Sequence, residues 1–297
     1  GILSASDTLA PQAYGAGNHR EVGIIAIRGY VVTFIASIPL VVLLWHSESI
    51  LTVLGQDPDA SHLASSWIRT YIMALPCVNL FYVLQRFLTC QEVVLPIVYC
   101  GGVVCFVLHP INLHFFMSRF GFVGSAMAMV LSQVAQVTLV LFYLKYMRPY
   151  KEGTWVGISV ASLSEALHLP SLISYAKLGL GGLLALSEWW FWESLCFIAG
   201  KFGVVSLSVH TIAYQLIPVL FMLPYGLGIG MSVRLGSTLA TDVPRAKKLV
   251  TGCLIFGFVM AAITAWIVYT NCVSIASIFT SDEQIIQGCL KIWDRVS

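Results

Sequence analysis

Hydrophobic residues in this chain come in long runs separated by short polar breaks. Seven runs reach the roughly 20 apolar residues that a helix needs to cross a bilayer core. They are Ile24–Trp45, Trp67–Leu88, Val93–Phe116, Gly121–Leu144, Leu172–Ala199, Val204–Leu227 and Val250–Val273. An apolar stub, Gly1–Leu9, is too short to cross, and Cys289–Ser297 resembles the first turns of another helix. No charged leader precedes the stub, so it does not have the form of a signal peptide. The pattern predicts an all-α polytopic membrane protein with seven complete transmembrane helices, and a chain cut from a larger bundle.

Composition agrees. The chain has 297 residues, 58% hydrophobic and 10% charged, against about 25% charged in an ordinary soluble domain. So few charges cannot coat a soluble body of this size. A net charge of +2 gives no reason to expect nucleic acid. The eight cysteines lie mostly inside apolar runs, without the spacing of a metal site or a secreted disulfide framework. No Walker, zinc or nucleophile–base arrangement occurs, so neither an enzyme nor a cofactor is expected.

Loop charge sets the expected orientation. One set of alternate loops and helix ends holds Arg20, Arg28, Arg86, Lys145, Arg148, Lys151, Lys177, Arg234, Arg245, Lys247 and Lys248, eleven in all. The other holds five: Arg69, Arg119, Lys201, Lys291 and Arg295. The basic set is placed in the cytoplasm.

A shift of 225 positions lays the start of the chain on its end. Arg20 then falls on Arg245, Ser49-Ile50 on Ser274-Ile275, and Asp57 on Asp282. The shift spans six crossings, an even number, so the two copies point the same way. That is the parallel-repeat plan of some secondary transporters. It divides the chain into a first lobe (1–146), a cytoplasmic linker (147–171) and a second lobe (172–297), and implies an intact protein of about 430 residues.

Several segments carry a family resemblance. Ser-Ala-Ser-Asp-Thr-Leu-Ala-Pro-Gln-Ala-Tyr-Gly-Ala-Gly-Asn (4–18) resembles the hallmark of the multidrug and toxic compound extrusion (MATE) transporters, eukaryotic branch. Leu54-Gly55-Gln56-Asp57-Pro58, Arg86-Phe87-Leu88-Thr89-Cys90-Gln91, Glu188-Trp189-Trp190-Phe191-Trp192-Glu193 and Ser232-Val233-Arg234-Leu235-Gly236 are similar to further signatures of that family, in the right order. Pro11 and the segment Ser237–Asp242 depart from its pattern. The resemblance implies twelve helices in two lobes around a cleft. The present chain would lack the first helix, most of the second, and helices ten to twelve. It further implies export of organic cations, drugs or secondary metabolites in exchange for protons, with sodium as the other coupling ion. Asp7, Gln12 and Arg234 belong to the family-like motifs, Asp7 as a helix-end or gating contact near the cytoplasmic mouth. A monomer in a plasma or organellar membrane is expected.

Glu188 and Glu193 are the sharpest candidates. A carboxylate in mid-membrane is costly and normally faces a partner or a wet cavity. Leaving water favours its neutral form, so it can exchange protons near neutral pH. Five residues turn a helix by about 140°, so the two acids cannot point at one spot. Trp189, Trp190 and Trp192 offer faces that attract a cation by about 0.5–2 kcal/mol each, with Trp192, one turn from Glu188, the expected cleft-facing ring. A belt of interfacial tryptophans is the plainer reading for at least one of them. On the next helix His210 and Tyr214 lie one turn apart, and Pro218 frees the Tyr214 carbonyl. Gln215 stands where some relatives have an acid, which suits substrate hydrogen bonding. Interhelical packing explains these polar residues about as well, and it is the favoured reading of His109, Asn112 and His114 in the first lobe. The competing whole-protein readings are a lipid-linked saccharide flippase of similar helix plan, expected to carry central cations, and a seven-helix receptor.

Overall fold

The computed structural model describes residues 1–55, 58–185, 187–200, 202–239 and 242–293. Every regular element among them is helical. The chain divides into two compact units, Ile2–Leu180 and Gly181–Ser297, the latter joined by Gly1.

The first unit contains α1 (Ser4–Gly15), α2 (His19–Trp45), α3 (Ser47–Val53), α4 (Pro58–Tyr71), α5 (Leu75–Thr89), α6 (Leu95–Val103), α7 (His109–Met147), α8 (Val160–Ala166) and most of α9 (Leu169–Ala185). Asn18 caps α2 by accepting from the Glu21 N–H. The α4–α5 path tightens into a 3₁₀ turn at Ile72–Ala74, just before Pro76. Between α6 and α7 the helix widens to a π turn over Val104–Leu108, directly before His109-Pro110. The second unit is built of α10 (Ser187–Gly200), α11 (Val204–Leu239), α12 (Val243–Thr270), α13 (Cys272–Phe279) and α14 (Glu283–Ile292).

Six helical stretches among the described residues are long and apolar enough to cross a membrane, against the seven expected. The difference lies in one of them, Leu95–Met147. At Gly121 the backbone leaves helical geometry (φ 58°, ψ −138°), a left-handed position that favours glycine. The flanking limbs of α7 then fold back on each other. His109 Nδ1 lies 3.1 Å from Ser132 Oγ, 23 residues on, where a straight helix would hold them about 34 Å apart. Leu172–Ala199, expected as one span, is described as α9 up to Ala185 and α10 from Ser187, and position 186 lies outside the described residues.

The faces of these helices are apolar where nothing covers them. Phe106 (82% exposed), Phe258 (77%) and Trp266 (68%) are examples, and apolar surface on this scale suits a bilayer and not water.

The basic connection after α7 is a folded strap. Gln91, buried at the end of α5, accepts from the Lys151 N–H (2.9 Å) and the Thr154 hydroxyl (3.1 Å). Its own amide donates to the Phe87 carbonyl. Thr154 is fully buried, against Gly23 of α2. Farther on, Arg20 pairs with Glu165 at 2.6 Å, and buried Arg28 bonds both Glu21 and the Ala166 carbonyl. Ser159 and Ser162 close a capping box on α8. This packing selects the sites for a topology test, because Thr154 is unreachable while Glu152 and Asp59 are exposed. With single cysteines at those two positions in intact cells, an impermeant maleimide is expected to label Asp59→Cys and spare Glu152→Cys. The opposite pattern would invert the orientation derived from loop charge.

Candidate functional site

The α10–α11 pair holds most of the residues selected from sequence. The Tyr214 hydroxyl donates to Glu193 Oε1 at 2.7 Å, joining the two helices. Pro218, one turn beyond Tyr214, has no N–H to offer the Tyr214 carbonyl. The His210 ring lies parallel to that of Tyr214 (centroids 6.4 Å, interplanar angle 5°). Among the described residues, buried His210 Nε2 has no hydrogen-bond partner. Gln215 follows Tyr214 by about 100° of helix rotation and is exposed. Trp189 meets Phe221 edge to face at 5.4 Å, and Phe221 stacks on Tyr225 at 5.6 Å. Trp192 is half-buried and contacts Phe191. Beside Phe221 an apolar groove of about 290 Å³ opens between α11 and α12, lined by Ile217, Pro224, Met260 and Thr264 among others. Glu188 belongs to α10 by its backbone; its side chain lies outside the described residues.

Glu193 and Tyr214 are thus joined by a hydrogen bond, with the His210 ring parallel to that of Tyr214. The sequence named the members but not the bond between Glu193 and Tyr214. The only available signal was their type, because facing residues on separate helices carry no fixed spacing.

A second polar cluster ties α1 to α5. Asp7 Oδ1 lies 3.1 Å from Arg86 Nε. The same guanidinium donates to the carbonyls of Leu3 and Tyr82. Burial pushes the Asp7 carboxyl above its usual range, and Arg86 only partly opposes that; α1 lies outside the six spans. Beside it Ser6 bonds the hydroxyl of fully buried Tyr175. Gly29 is required there, because an added Cβ would come within 2.8 Å of that hydroxyl. Tyr175 and Gly29 were not singled out in the sequence. Gln12 and Arg234, the other motif residues, are exposed. Gln12 accepts the Ala16 N–H through its carbonyl.

In the α7 hairpin, Ser132 Oγ also takes a hydrogen bond from the Asn112 amide (3.3 Å) and donates to the Ala128 carbonyl. His109 and Asn112 are therefore fastened to packing partners. Among the described residues, no three His, Cys, Asp or Glu side chains gather as a metal site.

A family model described as MatE matches residues 1–113 and 183–292. The chain belongs to the MatE family. Its relatives include multidrug and toxin extrusion protein 1 of Oryctolagus cuniculus, 31% identical over 289 residues, covering 96% of this chain and 50% of that protein. The Xenopus tropicalis protein of the same name is 32% identical over 293 residues, covering 96% and 49%. The chain spans about half the length of the curated relatives it matches. The eukaryotic MATE transporter AtDTX14 superposes with a TM-score of 0.85 at 23% identity, over 99% of this chain and 65% of that one. A Vibrio cholerae MATE transporter, VcmN, gives 0.75 at 16%, over 98% and 66%. The all-helical MatE fold and a multi-pass integral membrane protein follow.

Proposed function

We propose that the full-length MatE protein exports organic cations or drugs in exchange for protons, with Glu188 and Glu193 of α10 as its acidic groups in this chain. The observation that carries the reading is a carboxylate within a candidate span, Glu193, held by the Tyr214 hydroxyl on the helix pair that also carries Trp189 and Phe221. The names of its relatives, multidrug and toxin extrusion proteins, support the substrate class. Acids and aromatics favour a cation over the anionic head group of a saccharide flippase. In this reading the chain contributes seven crossings, the two limbs of the α7 hairpin counting separately. The parts 1–146 and 172–297 are lobes of a parallel repeat joined by the strap, and the two separate family matches support that division.

The test is uptake of a fluorescent organic cation into vesicles holding the full-length protein. An imposed proton gradient is expected to drive accumulation, and a protonophore to collapse it. Tyr214→Phe removes the hydrogen bond to Glu193, a difference of about 1 kcal/mol. It is expected to slow uptake at least severalfold with unchanged membrane insertion. Uptake that follows a sodium gradient and ignores the proton gradient would refute proton coupling.

A further inference from the structure

A cavity of about 370 Å³ lies where α5, the end of α7 and the strap meet. It belongs to neither polar cluster described above. Leu141 and buried Leu144 are among its apolar lining, the rings of Phe87, Tyr150 and Trp155 its aromatic lining, and Lys145 and Arg148 its cations. Phe87 meets both other rings at 6.0 Å, Trp155 edge to face. Tryptophan and tyrosine beside an apolar lining mark the depth of lipid head groups.

The two cations are open to an anion from outside the protein, although Lys145 Nζ also lies over the Tyr146 ring at 5.8 Å. Both are exposed, and neither makes an ion pair among the described residues. The carbonyls at the end of α7 give them a weak negative field, which many helices provide without such a cavity. Arg148 also occupies a left-handed position (φ 43°, ψ 54°) where glycine or asparagine is usual.

We infer that this cavity binds an anionic phospholipid of the cytoplasmic leaflet, its phosphate between Lys145 and Arg148 and an acyl chain over Leu141. Three features select a lipid over a soluble anion: the apolar lining, the aromatic rings and the position at the end of a spanning helix. Loop charge places this end on the cytoplasmic side, where anionic lipids reside. Bound lipid would bridge α5, α7 and the strap, and so hold the strap at the membrane surface.

Native mass spectrometry of the full-length protein, with phosphatidylserine and phosphatidylcholine of identical acyl chains, tests this. Phosphatidylserine is expected to remain bound at energies that strip phosphatidylcholine. The double variant Lys145→Gln, Arg148→Gln should weaken phosphatidylserine binding about thirtyfold, the effect of losing two membrane-proximal cations. Leu141→Trp, which fills the apolar part and leaves the charges, should weaken the binding of both lipids. Thermal unfolding of each variant confirms that it is folded. Equal retention of the two lipids by the wild type, or full selectivity in the double variant, would overturn the assignment. Complete displacement by millimolar inorganic phosphate would overturn it too, since the site would then be one for a free anion.

Discussion

Glu188→Gln in the full-length protein is expected to reduce gradient-driven cation export to the level of empty vesicles, with folding and membrane insertion intact. A carboxylate can hold a proton or a cationic substrate at one time, and that competition is the simplest physical basis for antiport. In the proposed cycle, proton arrival would neutralise the acid and release the cation, and proton loss on the cytoplasmic side would restore the charge. Glutamine keeps the size and hydrogen-bonding capacity but cannot alternate between charge states. Because an ionisable group within a span is expensive to maintain, a purely structural acid should be replaced by glutamine at little cost. Glu188→Asp should retain part of the activity with an altered pH profile. Export by the glutamine variant at the wild-type rate and pH dependence would place the proton elsewhere, with Glu193 the next acid to test.

Gly23→Val is expected to give the largest effect on the fold. A Cβ at Gly23 would overlap the Thr154 carbonyl oxygen, which is backbone and cannot rotate away. The valine also meets Val156 Cγ2, at 3.2 Å from its Cβ. Overpacking of this kind costs about 1–3 kcal/mol. If the strap lifts instead, buried Gln91 loses the Lys151 and Thr154 donors, at a similar cost of about 1–3 kcal/mol. Either route should lower the melting temperature. It should also speed proteolysis at exposed Lys151, measured on purified protein in detergent. Wild-type melting and cleavage rates in the variant would show that the strap is not seated on α2.

Both predictions concern residues found by different means. Glu188 was conspicuous in the sequence because an acid inside an apolar run is exceptional wherever it points. Gly23 was one small residue among 24 glycines. Only the approach of a strap more than 130 positions away gives it a role.

The same division runs through the whole molecule. Membrane class, the approximate spans and the stock of acids and aromatics could be read locally, because each crossing must be apolar along its own length whatever it packs against. The pairing of Glu193 with Tyr214, of Asp7 with Arg86, and the seating of the strap on Gln91 could not. Lipid tails are as apolar as a protein core, so these helices need no hydrophobic stripe on one side, and nothing in their sequence marks the face turned inward. The Gly121 hairpin was expected as a boundary between two runs, yet which residues it brings together was open. A single left-handed glycine set the register that carries His109 to Ser132. Helix rotation and register are properties of contacts between segments, and those were decided only in the folded structure.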